Sequence, residues 1–337
     1  MNRIMKKKTW SIKEIQNIVE EREAWEKKTL YATDADKCPR GTYFAMTGVE
    51  PTFPIDPQSL RRMELGEMIE RGQVKKLKSL GIFLSAQERI FDEKYNVSGR
   101  IDALIIDPES CSKKAKSLIE EKKKIYKELE SLDKNVWKGV DKLYGKDIQL
   151  EEFQKGRDSL NHRKDSLYER DRQINELLMI PENPLMVVEI KSISEYGFKY
   201  REREGIPMES HEKQTMFYKW KLQEKFPNIE ARVLYVGLPY QDLLEFDVKV
   251  DPDKLKNLQS FWNMMNKCLK NKELPPLISS VIQNPFSSVW QVNYQAEWCR
   301  YHDKCTGDAN WLKKAMDTVK SLNDTRKEEK KKTKKTK

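Results

Sequence analysis

Hydrophobic residues recur at helical spacing in two stretches near the start of the chain, 11–30 and 58–80, and both are predicted to form amphipathic helices. Two runs rich in β-branched and aromatic residues follow at 88–95 and 97–106. Because only Asn96 separates them, these runs are predicted to form a tightly connected pair of strands.

The stretch from about Lys113 to Leu178 is dense in charged residues and contains no proline. Its apolar residues fall at heptad-like spacing, at Leu118, Ile125, Leu129, Leu132 and Val136 and then at Phe153, Leu160, Leu167 and Ile174. The pattern is broken between Gly139 and Gly145. It predicts an antiparallel helical hairpin that projects from the body, with two ordinary surface helices as the alternative.

The stretch 184–192 predicts a buried strand because four apolar residues follow its first proline. Glu189 and Lys191 interrupt the apolar pattern of this strand. Side chains two residues apart on a strand point to the same face, so these two charges are expected to lie side by side. The remaining predicted elements are a helix at 210–225, strands at 231–238 and 243–250, a helix at 253–269 and a short helix at 311–322.

These elements predict the α/β fold class, with a mixed central sheet flanked by helices and the helical hairpin inserted into it. The predicted segments are an N-terminal helix (1–33), a first core part (34–110), the hairpin (111–180), a second core part (181–272), a cysteine-bearing segment (273–318) and a disordered lysine-rich tail (319–337).

Charge and composition narrow the possible partners. The formal net charge is +10, and residues 320–337 contribute nine Lys/Arg against three Asp/Glu, a net of +6. A polyanion partner such as DNA is compatible with this balance.

No apolar run is long enough to cross a membrane and residues 1–8 contain no signal-type apolar region, so a cytoplasmic location is predicted. The five cysteines are expected to be thiols or metal ligands rather than a disulfide framework.

Two acids interrupt the predicted buried strands, Asp102 in the strand pair and Glu189 in the later strand. A buried carboxylate is costly unless it is paired or binds a metal, and Mg²⁺ prefers carboxylate oxygens. A divalent-cation site is therefore predicted, with Lys191 placed to orient water or to offset charge in the transition state. The alternative for Asp102 is an ordinary acid at a strand end.

The order of these residues resembles a known family. Asp102 followed by Glu189-Ile190-Lys191 is similar to the D…(E/D)xK signature of the PD-(D/E)XK nucleases, and Gln214 with Tyr218 is similar to the QxxxY motif of its RecB-like members. The resemblance implies a restriction-endonuclease-like core. It also implies Mg²⁺ or Mn²⁺ bound by Asp102, Glu189 and the Ile190 carbonyl, with Gln214 and Tyr218 positioning substrate.

One position departs from that family pattern. In Gly66-Glu67-Met68-Ile69-Glu70 the family often has a histidine where this chain has Glu70. A glutamate can also bind Mg²⁺ or Mn²⁺, so Glu70 is a candidate catalytic residue, with a solvated helix glutamate as the alternative.

The cysteines resemble those of the iron–sulfur subgroup of RecB-like nucleases, which includes the CRISPR-adaptation exonucleases. Cys38, Cys299 and Cys305 match three of the four expected positions, and Ala296 stands at the fourth. With His302 as substitute ligand, the set implies a [4Fe–4S] cluster, a Cys₃His zinc site or a metal-free remnant. Cys268 is a further candidate ligand, and Cys111 is expected to be an ordinary thiol.

Candidate DNA contacts are Arg40, beside Cys38, and a stretch at 196–203 that interleaves aromatic and basic residues. This stretch is predicted to be a DNA-facing loop in which Tyr196, Lys199 and Arg201 contact DNA. The alternative is an ordinary aromatic loop that packs on the core.

The resulting hypothesis is a metal-dependent DNA nuclease that acts on ends or single strands in recombination, repair or viral DNA metabolism. The rival hypothesis is a non-catalytic DNA-binding or assembly subunit that docks a partner protein through the hairpin.

Overall fold

The computed structural model describes residues 27–53, 55–145, 149–279, 281–283, 289–297, 299–307 and 310–335. The predicted N-terminal helix lies outside the described residues as far as residue 26. Its last predicted residue, Leu30, begins a short strand instead.

Ten strands are described: β1 Leu30–Tyr31, β2 Phe83–Ser85, β3 Arg89–Asp92, β4 Val97–Arg100, β5 Ala103–Ile106, β6 Leu185–Ser194, β7 Glu230–Leu238, β8 Leu243–Asp247, β9 Val281–Gln283 and β10 Trp290–Val292. The α-helices span Pro39–Met46, Pro57–Ser79, Lys113–Tyr144, Leu150–Leu178, Glu195–Glu204, Glu209–Leu222, Pro252–Asn271, Tyr294–Glu297, His302–Thr306 and Trp311–Lys335, and a 3₁₀ helix spans Ala32–Asp36.

The chain divides into two compact units that interleave along the sequence, whereas the predicted division was into six consecutive segments. The site unit comprises Gly66–Asp92 and Ser98–Leu258. The cysteine unit comprises the remaining residues, including Glu93–Val97 and the chain from Gln259 onward.

The site unit is built on a five-stranded sheet in the order β2-β5-β6-β7-β8. All neighbouring strands are antiparallel except β6 and β7, which are parallel. A parallel pair needs a crossover connection, and the Glu195–Glu204 and Glu209–Leu222 helices supply it. The predicted α/β class, with a mixed sheet flanked by helices, is confirmed at this level.

Alternation along the strands separates the two faces of the sheet. One face buries a cluster formed by Phe83, Ala103, Ile105, Val188, Ile190, Leu234 and Val236. Ile69, Val74 and Leu77 of the Pro57–Ser79 helix pack against it. Because side chains alternate, Glu189 and Lys191 emerge on the opposite face from Val188 and Ile190. The fold thereby directs both charges away from this apolar cluster.

The charged middle of the chain forms two long helices, Lys113–Tyr144 and Leu150–Leu178, which pack on each other. Ion pairs cross between them, including Arg163–Glu128 at 2.7 Å and Arg170–Glu121 at 2.7 Å. The apolar residues buried in these helices are Ala115, Ile119, Ile125, Leu129, Leu167, Ile174 and Leu178. Towards the far end, Leu132, Val136, Phe153 and Leu160 are only half-buried.

A polar network lies inside this hairpin at positions where a heptad pattern calls for apolar residues. The ammonium of Lys122 is fully buried and lies 2.7 Å from Asp171 Oδ1. It also donates to the Asn175 side chain, while the Tyr126 hydroxyl donates to Asp171 Oδ2 at 2.7 Å. Because both partners of this ion pair are buried, removing either one would leave an uncompensated buried charge and destabilise the hairpin.

One helix runs over Trp311–Lys335 and includes most of residues 319–337, which were predicted to form a disordered tail. Trp311 and Ala315 anchor its first turns against Val281 and Val292 of the cysteine unit. Lysine and glutamate are good helix formers, and an Asp324–Lys327 ion pair at 3.0 Å supports the exposed part. The helix therefore continues beyond the segment that packing anchors.

The predicted DNA-facing loop at 196–203 is also helical, within Glu195–Glu204. The Ser194 side chain caps its first turn by accepting from the Gly197 N–H at 3.2 Å. Gly205, at φ 69°, ends the helix in the left-handed conformation that glycine adopts readily. This helix carries three basic and three acidic side chains together with Tyr196, Phe198 and Tyr200, and we call it the aromatic helix.

Within the part of the chain that the structure describes, no helix is both long enough and apolar enough to span a membrane.

Candidate functional site

Asp102 and Glu189 face each other across neighbouring antiparallel strands. The β5–β6 register pairs Ala103 with Val188, and its extension by one residue places Asp102 opposite Glu189. Asp102 Oδ2 accepts a hydrogen bond from the Ile190 backbone N–H at 2.8 Å. The two acids, 87 positions apart in sequence, are thus held together by strand pairing.

Lys191 joins the two acids. Its ammonium forms an ion pair with Glu189 Oε1 and lies 4.0 Å from Asp102 Oδ2. Glu189 is fully buried, whereas the Lys191 side chain is 26% exposed. The lysine therefore lies on the solvent side of the carboxylates.

Burial dominates the electrostatics of this cluster. It raises the pKa of Glu189 to about 8, with Lys191 opposing the rise and Asp102 adding to it. Burial likewise raises the pKa of Asp102 against the effect of Lys191 and of the Ile190 N–H. For Lys191, burial alone would lower the pKa, but the carboxylates of Glu189 and Asp102 outweigh it and raise the pKa.

Glu70 lies close enough to Asp102 and Lys191 for their charges to affect its pKa. Burial raises the pKa of this half-buried carboxyl, and the charge of Asp102 raises it further. Its Oε1 accepts a hydrogen bond from the Gln87 side chain. The structure thus brings Glu70 into the electrostatic neighbourhood of Asp102, with Gln87 as its direct partner.

Gln214 and Tyr218 lie on the Glu209–Leu222 helix, which packs on β6 and β7 and which we call the site helix. Gln214 Nε2 donates to the Tyr218 hydroxyl at 2.7 Å, and the Arg100 backbone N–H donates to the same oxygen at 3.3 Å. Both side chains are buried. Burial, followed by the charge of Glu189, raises the pKa of Tyr218, so the phenol stays protonated beside the acids.

Gly99 makes room for Tyr218. A Cβ added at Gly99 would lie 2.2 Å from Tyr218 Cε1, far inside van der Waals contact. We expect Gly99→Ala to displace the Tyr218 ring and to lower the free energy of unfolding by about 1–3 kcal/mol, measured by urea denaturation. The matched control is Gly156→Ala on the Leu150–Leu178 helix, where nothing lies within 4 Å of the added Cβ. It should be neutral or stabilising by up to about 1 kcal/mol, and equal losses in both variants would contradict the prediction.

The donor set at Asp102 and Glu189 fits a hard cation. Apart from the Lys191 contact, the Glu189 oxygens are sealed from solvent and have no hydrogen-bond partner among the described residues. Carboxylate and carbonyl oxygens are the ligands that Mg²⁺ and Mn²⁺ prefer. In the described ranges, no three His, Cys, Asp or Glu side chains converge closely enough to form a ready-made metal site. The set that fits is therefore two carboxylates with the Ile190 carbonyl.

The predicted cysteine ligands lie in the cysteine unit. The thiols of Cys38 and Cys299 are hydrogen-bonded, and this contact is the main reason that the pKa of Cys38 falls to about 6. A Cβ at Gly41 would lie 3.0 Å from Cys299 Sγ, so glycine there lets the two segments approach. Cys305 Sγ lies 3.9 Å from an Arg40 nitrogen.

These thiols do not make up a complete four-ligand set. The side chain of His302 lies outside the described residues, and Cys268 contacts Met264 Sδ at 3.9 Å on the Pro252–Asn271 helix. Cys111 belongs to the site unit, where its thiol contacts the Pro108 carbonyl at 3.5 Å. Because a [4Fe–4S] cluster normally takes four thiolates, the described side chains fall short of that group.

Arg40 is half-buried, and its guanidinium bonds backbone carbonyls of its own unit. Its Nε donates to the Pro275 carbonyl at 2.8 Å and its Nη1 to the Cys305 carbonyl at 3.3 Å. These bonds give Arg40 a structural role within the cysteine unit, and its contact with DNA stays a prediction.

The aromatic helix carries the other predicted DNA contacts. Tyr196 is 81% exposed, Lys199 pairs with Glu195 at 2.6 Å, and the Arg201 guanidinium lies 4.6 Å from the centre of the Tyr200 ring. One exposed tyrosine and nearby cations on a short helix suit base stacking and phosphate contact.

One residue near the site was not found by sequence reasoning. His211, on the site helix, contacts the Tyr235 hydroxyl through Nδ1 at 2.9 Å, and Tyr235 is the β7 partner of Lys191. The available signal was its position three residues before Gln214, which places both on one helical face.

Comparisons with known proteins assign no family. No family model matches the chain, and no curated protein matches it either. A solved structure described as "Crystal structure of SSO0001" is 14% identical, covers 87% of this chain and 95% of its own, and superposes with a TM-score of 0.36. A likeness this distant carries no argument about fold family or function.

Proposed function

We propose that this protein is a metal-dependent DNA nuclease of the PD-(D/E)XK, RecB-like type. The observation that carries the proposal is the fully buried Glu189, set opposite Asp102 and bridged to it by Lys191. Burying two acids around one lysine costs stability, and such groupings of perturbed acids are characteristic of functional sites. The mixed sheet, with the site helix in its one parallel crossover, is also the arrangement that the resemblance implies.

The residues take the following roles in the proposed reaction. Asp102, Glu189 and the Ile190 carbonyl hold Mg²⁺ or Mn²⁺, and Glu70 adds negative charge nearby. A bound ion of this kind lowers the pKa of water and polarises a phosphoryl oxygen. Lys191 orients the attacking water and offsets the charge that develops on the phosphate. Gln214 and Tyr218 are hydrogen-bonded to each other, and they position the substrate.

The proposed substrate is DNA at ends or in single strands. The aromatic helix offers exposed Tyr196 for stacking, with Lys199 and Arg201 for phosphates. The net positive charge of residues 320–337 favours the same polyanion without sequence preference.

The direct test uses end-labelled single-stranded and double-stranded DNA incubated with Mg²⁺, Mn²⁺ or EDTA. We expect shortened products with either metal and none with EDTA, and the label position distinguishes cleavage from the 5′ end, from the 3′ end or internally. The absence of metal-dependent cleavage on every substrate would refute the proposal.

Metal binding is testable without activity. We expect Mn²⁺ at about 100 times its dissociation constant to stabilise the wild type by about 2.7 kcal/mol, seen as a rise in melting temperature. Glu189→Gln should lose most of this gain because it removes a charged ligand. Glu151→Gln, at an exposed acid of the hairpin, is the control and should keep it. An equal Mn²⁺ effect in all three proteins would remove Glu189 from the metal site.

For the cysteine unit we propose a structural role, in which Cys38, Cys299 and Cys305 tie the 38–41 segment to the 299–305 segment. Iron, zinc and free-thiol analysis of anaerobically purified protein separates the three alternatives, namely an iron–sulfur cluster, a zinc site and a metal-free remnant. The visible absorption of thiolate-bound iron would mark the first.

A second candidate function is a non-catalytic DNA-binding or assembly subunit. It is favoured by exposed apolar side chains near the far end of the hairpin, Trp137 at 69%, Tyr144 at 84% and Leu150 at 56%. Wild type that shows no metal-dependent cleavage, together with a specific protein partner that is lost on changing these three residues to serine, would favour this function over the nuclease.

A further inference from the structure

His211 lies in the same unit as the carboxylate site and beside its lysine. Lys191 and Tyr235 are directly paired across the parallel β6–β7 ladder, so their side chains are neighbours on one face of the sheet. The His211 ring packs against Tyr235 with ring centres 5.6 Å apart. On the site helix, His211, Gln214 and Tyr218 are spaced i, i+3 and i+7, which places all three on one helical face.

The hydrogen bonds around Tyr235 are compatible with one particular tautomer of His211. The Met208 backbone N–H donates to the Tyr235 hydroxyl oxygen at 2.9 Å. The hydroxyl proton of Tyr235 is then available to His211 Nδ1, which lies 2.9 Å away. When Nδ1 accepts this proton, the neutral ring carries its own proton on Nε2, which is then a hydrogen-bond donor.

The ring also remains uncharged over the physiological range. Burial lowers the pKa of His211 to about 3, and the nearby charges of Lys191 and Arg201 act in the same direction. Nε2 has no hydrogen-bond partner among the described residues. It is also absent from the fully buried side-chain atoms that lack a partner, so it retains some exposure to solvent. With its proton on Nε2, His211 presents a neutral N–H donor in the field of two cations, Lys191 and Arg201.

We propose that His211 is a substrate-contact residue, whose Nε2–H donates to a non-bridging oxygen of the DNA phosphate bound beside Lys191. This inference rests on the proposed nuclease function and adds a residue to its substrate site. A neutral donor adds a directional hydrogen bond to an anionic oxygen without placing a third positive charge next to Lys191 and Arg201. The Tyr235 hydroxyl holds the ring in the donating tautomer.

Two isosteric substitutions separate substrate contact from a structural role. The amide nitrogen of glutamine reaches the place of Nε2, whereas that of asparagine reaches the place of Nδ1. We expect His211→Asn to weaken binding of a fluorescent single-stranded oligonucleotide in Ca²⁺ by about tenfold or more, the size expected for a hydrogen bond to a charged group. His211→Gln should recover much of that loss, and His162→Ala, an exposed histidine of the hairpin, should bind like the wild type. Recovery by asparagine instead of glutamine, wild-type binding by both variants, or no binding by the wild type would overturn the proposal.

Nitrogen NMR of labelled histidine provides a readout independent of affinity. The chain has three histidines, so the His211 signals are assigned by their absence in His211→Phe. We expect the Nε2–H tautomer at neutral pH and a shift of the Nε2 signal on adding the oligonucleotide. An Nδ1–H tautomer, or an unchanged signal in the saturated complex, contradicts the inference.

The two failures are distinguishable because neither measurement requires cleavage. Wild type that binds DNA through His211 but never cleaves it would refute the nuclease and keep the DNA contact. Wild type that cleaves DNA while the His211 variants bind normally would refute the contact alone.

Discussion

Lys191→Ala is expected to reduce the rate of metal-dependent DNA cleavage by at least about 100-fold. A preorganised cation aimed at charge that develops in a transition state is typically worth about 10²–10³ in rate. Lys191 is in that position because it contacts Glu189 on one side and reaches solvent on the other. The measurement is the single-turnover cleavage rate of an end-labelled oligonucleotide at saturating enzyme.

Two further variants make this result specific. Lys191→Arg keeps the charge but changes its geometry, and it should retain only part of the rate because a planar guanidinium cannot replace a compact ammonium in this space. Lys155→Ala removes an exposed hairpin lysine that pairs with Glu151, and it should leave the rate unchanged. Cleavage by Lys191→Ala at the wild-type rate would rule out the proposed role of the lysine.

Asp171→Ala is expected to destabilise the protein by about 3–5 kcal/mol, the usual effect of leaving one partner of a buried ion pair alone. Lys122 is fully buried and depends on Asp171, Asn175 and Tyr126 for its polar contacts. Burial already lowers the pKa of Lys122, and Asp171 opposes that change. Without the aspartate, the folded state should favour the neutral lysine. Urea denaturation followed by circular dichroism measures the loss.

The pH dependence of this variant follows from the same contacts. The unfolded chain keeps the lysine protonated below its ordinary pKa near 10.5, whereas the folded variant would hold it neutral. The unfolded state then binds more protons, so the stability of Asp171→Ala should rise with pH between about 7 and 9, by up to about 1.4 kcal/mol per pH unit.

Two controls accompany the Asp171 variant. Asp158→Ala removes an exposed acid from the same helix and should change stability by less than about 0.5 kcal/mol. The double variant Lys122→Met/Asp171→Leu replaces the ion pair with apolar residues and should lie close to the wild type. A single variant as stable as Asp158→Ala would show that the buried pair contributes little.

Local pattern was sufficient to locate the two acids and the lysine. Asp102 and Glu189 interrupt apolar strands, and the two-residue period of a strand places Glu189 and Lys191 on one face whatever the rest of the chain does. The hairpin helices are similarly visible in spacing. Each of these signals lies within about one element of secondary structure.

The features that sequence reasoning did not find depend on pairing between distant segments. No local pattern indicates that Arg40 donates to the Pro275 and Cys305 carbonyls, 235 and 265 residues away. The buried Lys122–Asp171 pair resembles two ordinary surface charges until both helices are placed. The last helix continues through residues 323–335, where the density of charge favoured the prediction of a disordered tail. Charge alone does not distinguish the two, because lysine-rich sequence suits a solvated helix as well as a disordered segment.

The attachment of the hairpin has a consequence for how the chain can vary. The β5–β6 ladder ends with Ile106 opposite Leu185, and the Asp107 N–H donates to the Pro184 carbonyl at 2.8 Å. The two points where the hairpin leaves and re-enters the sheet are therefore joined by one hydrogen bond, a gap that a two-residue Asn-Gly turn also closes. The pairing of Asp102 with Glu189 is therefore set by the ladder and by this closing hydrogen bond, whatever the length of the chain segment between them.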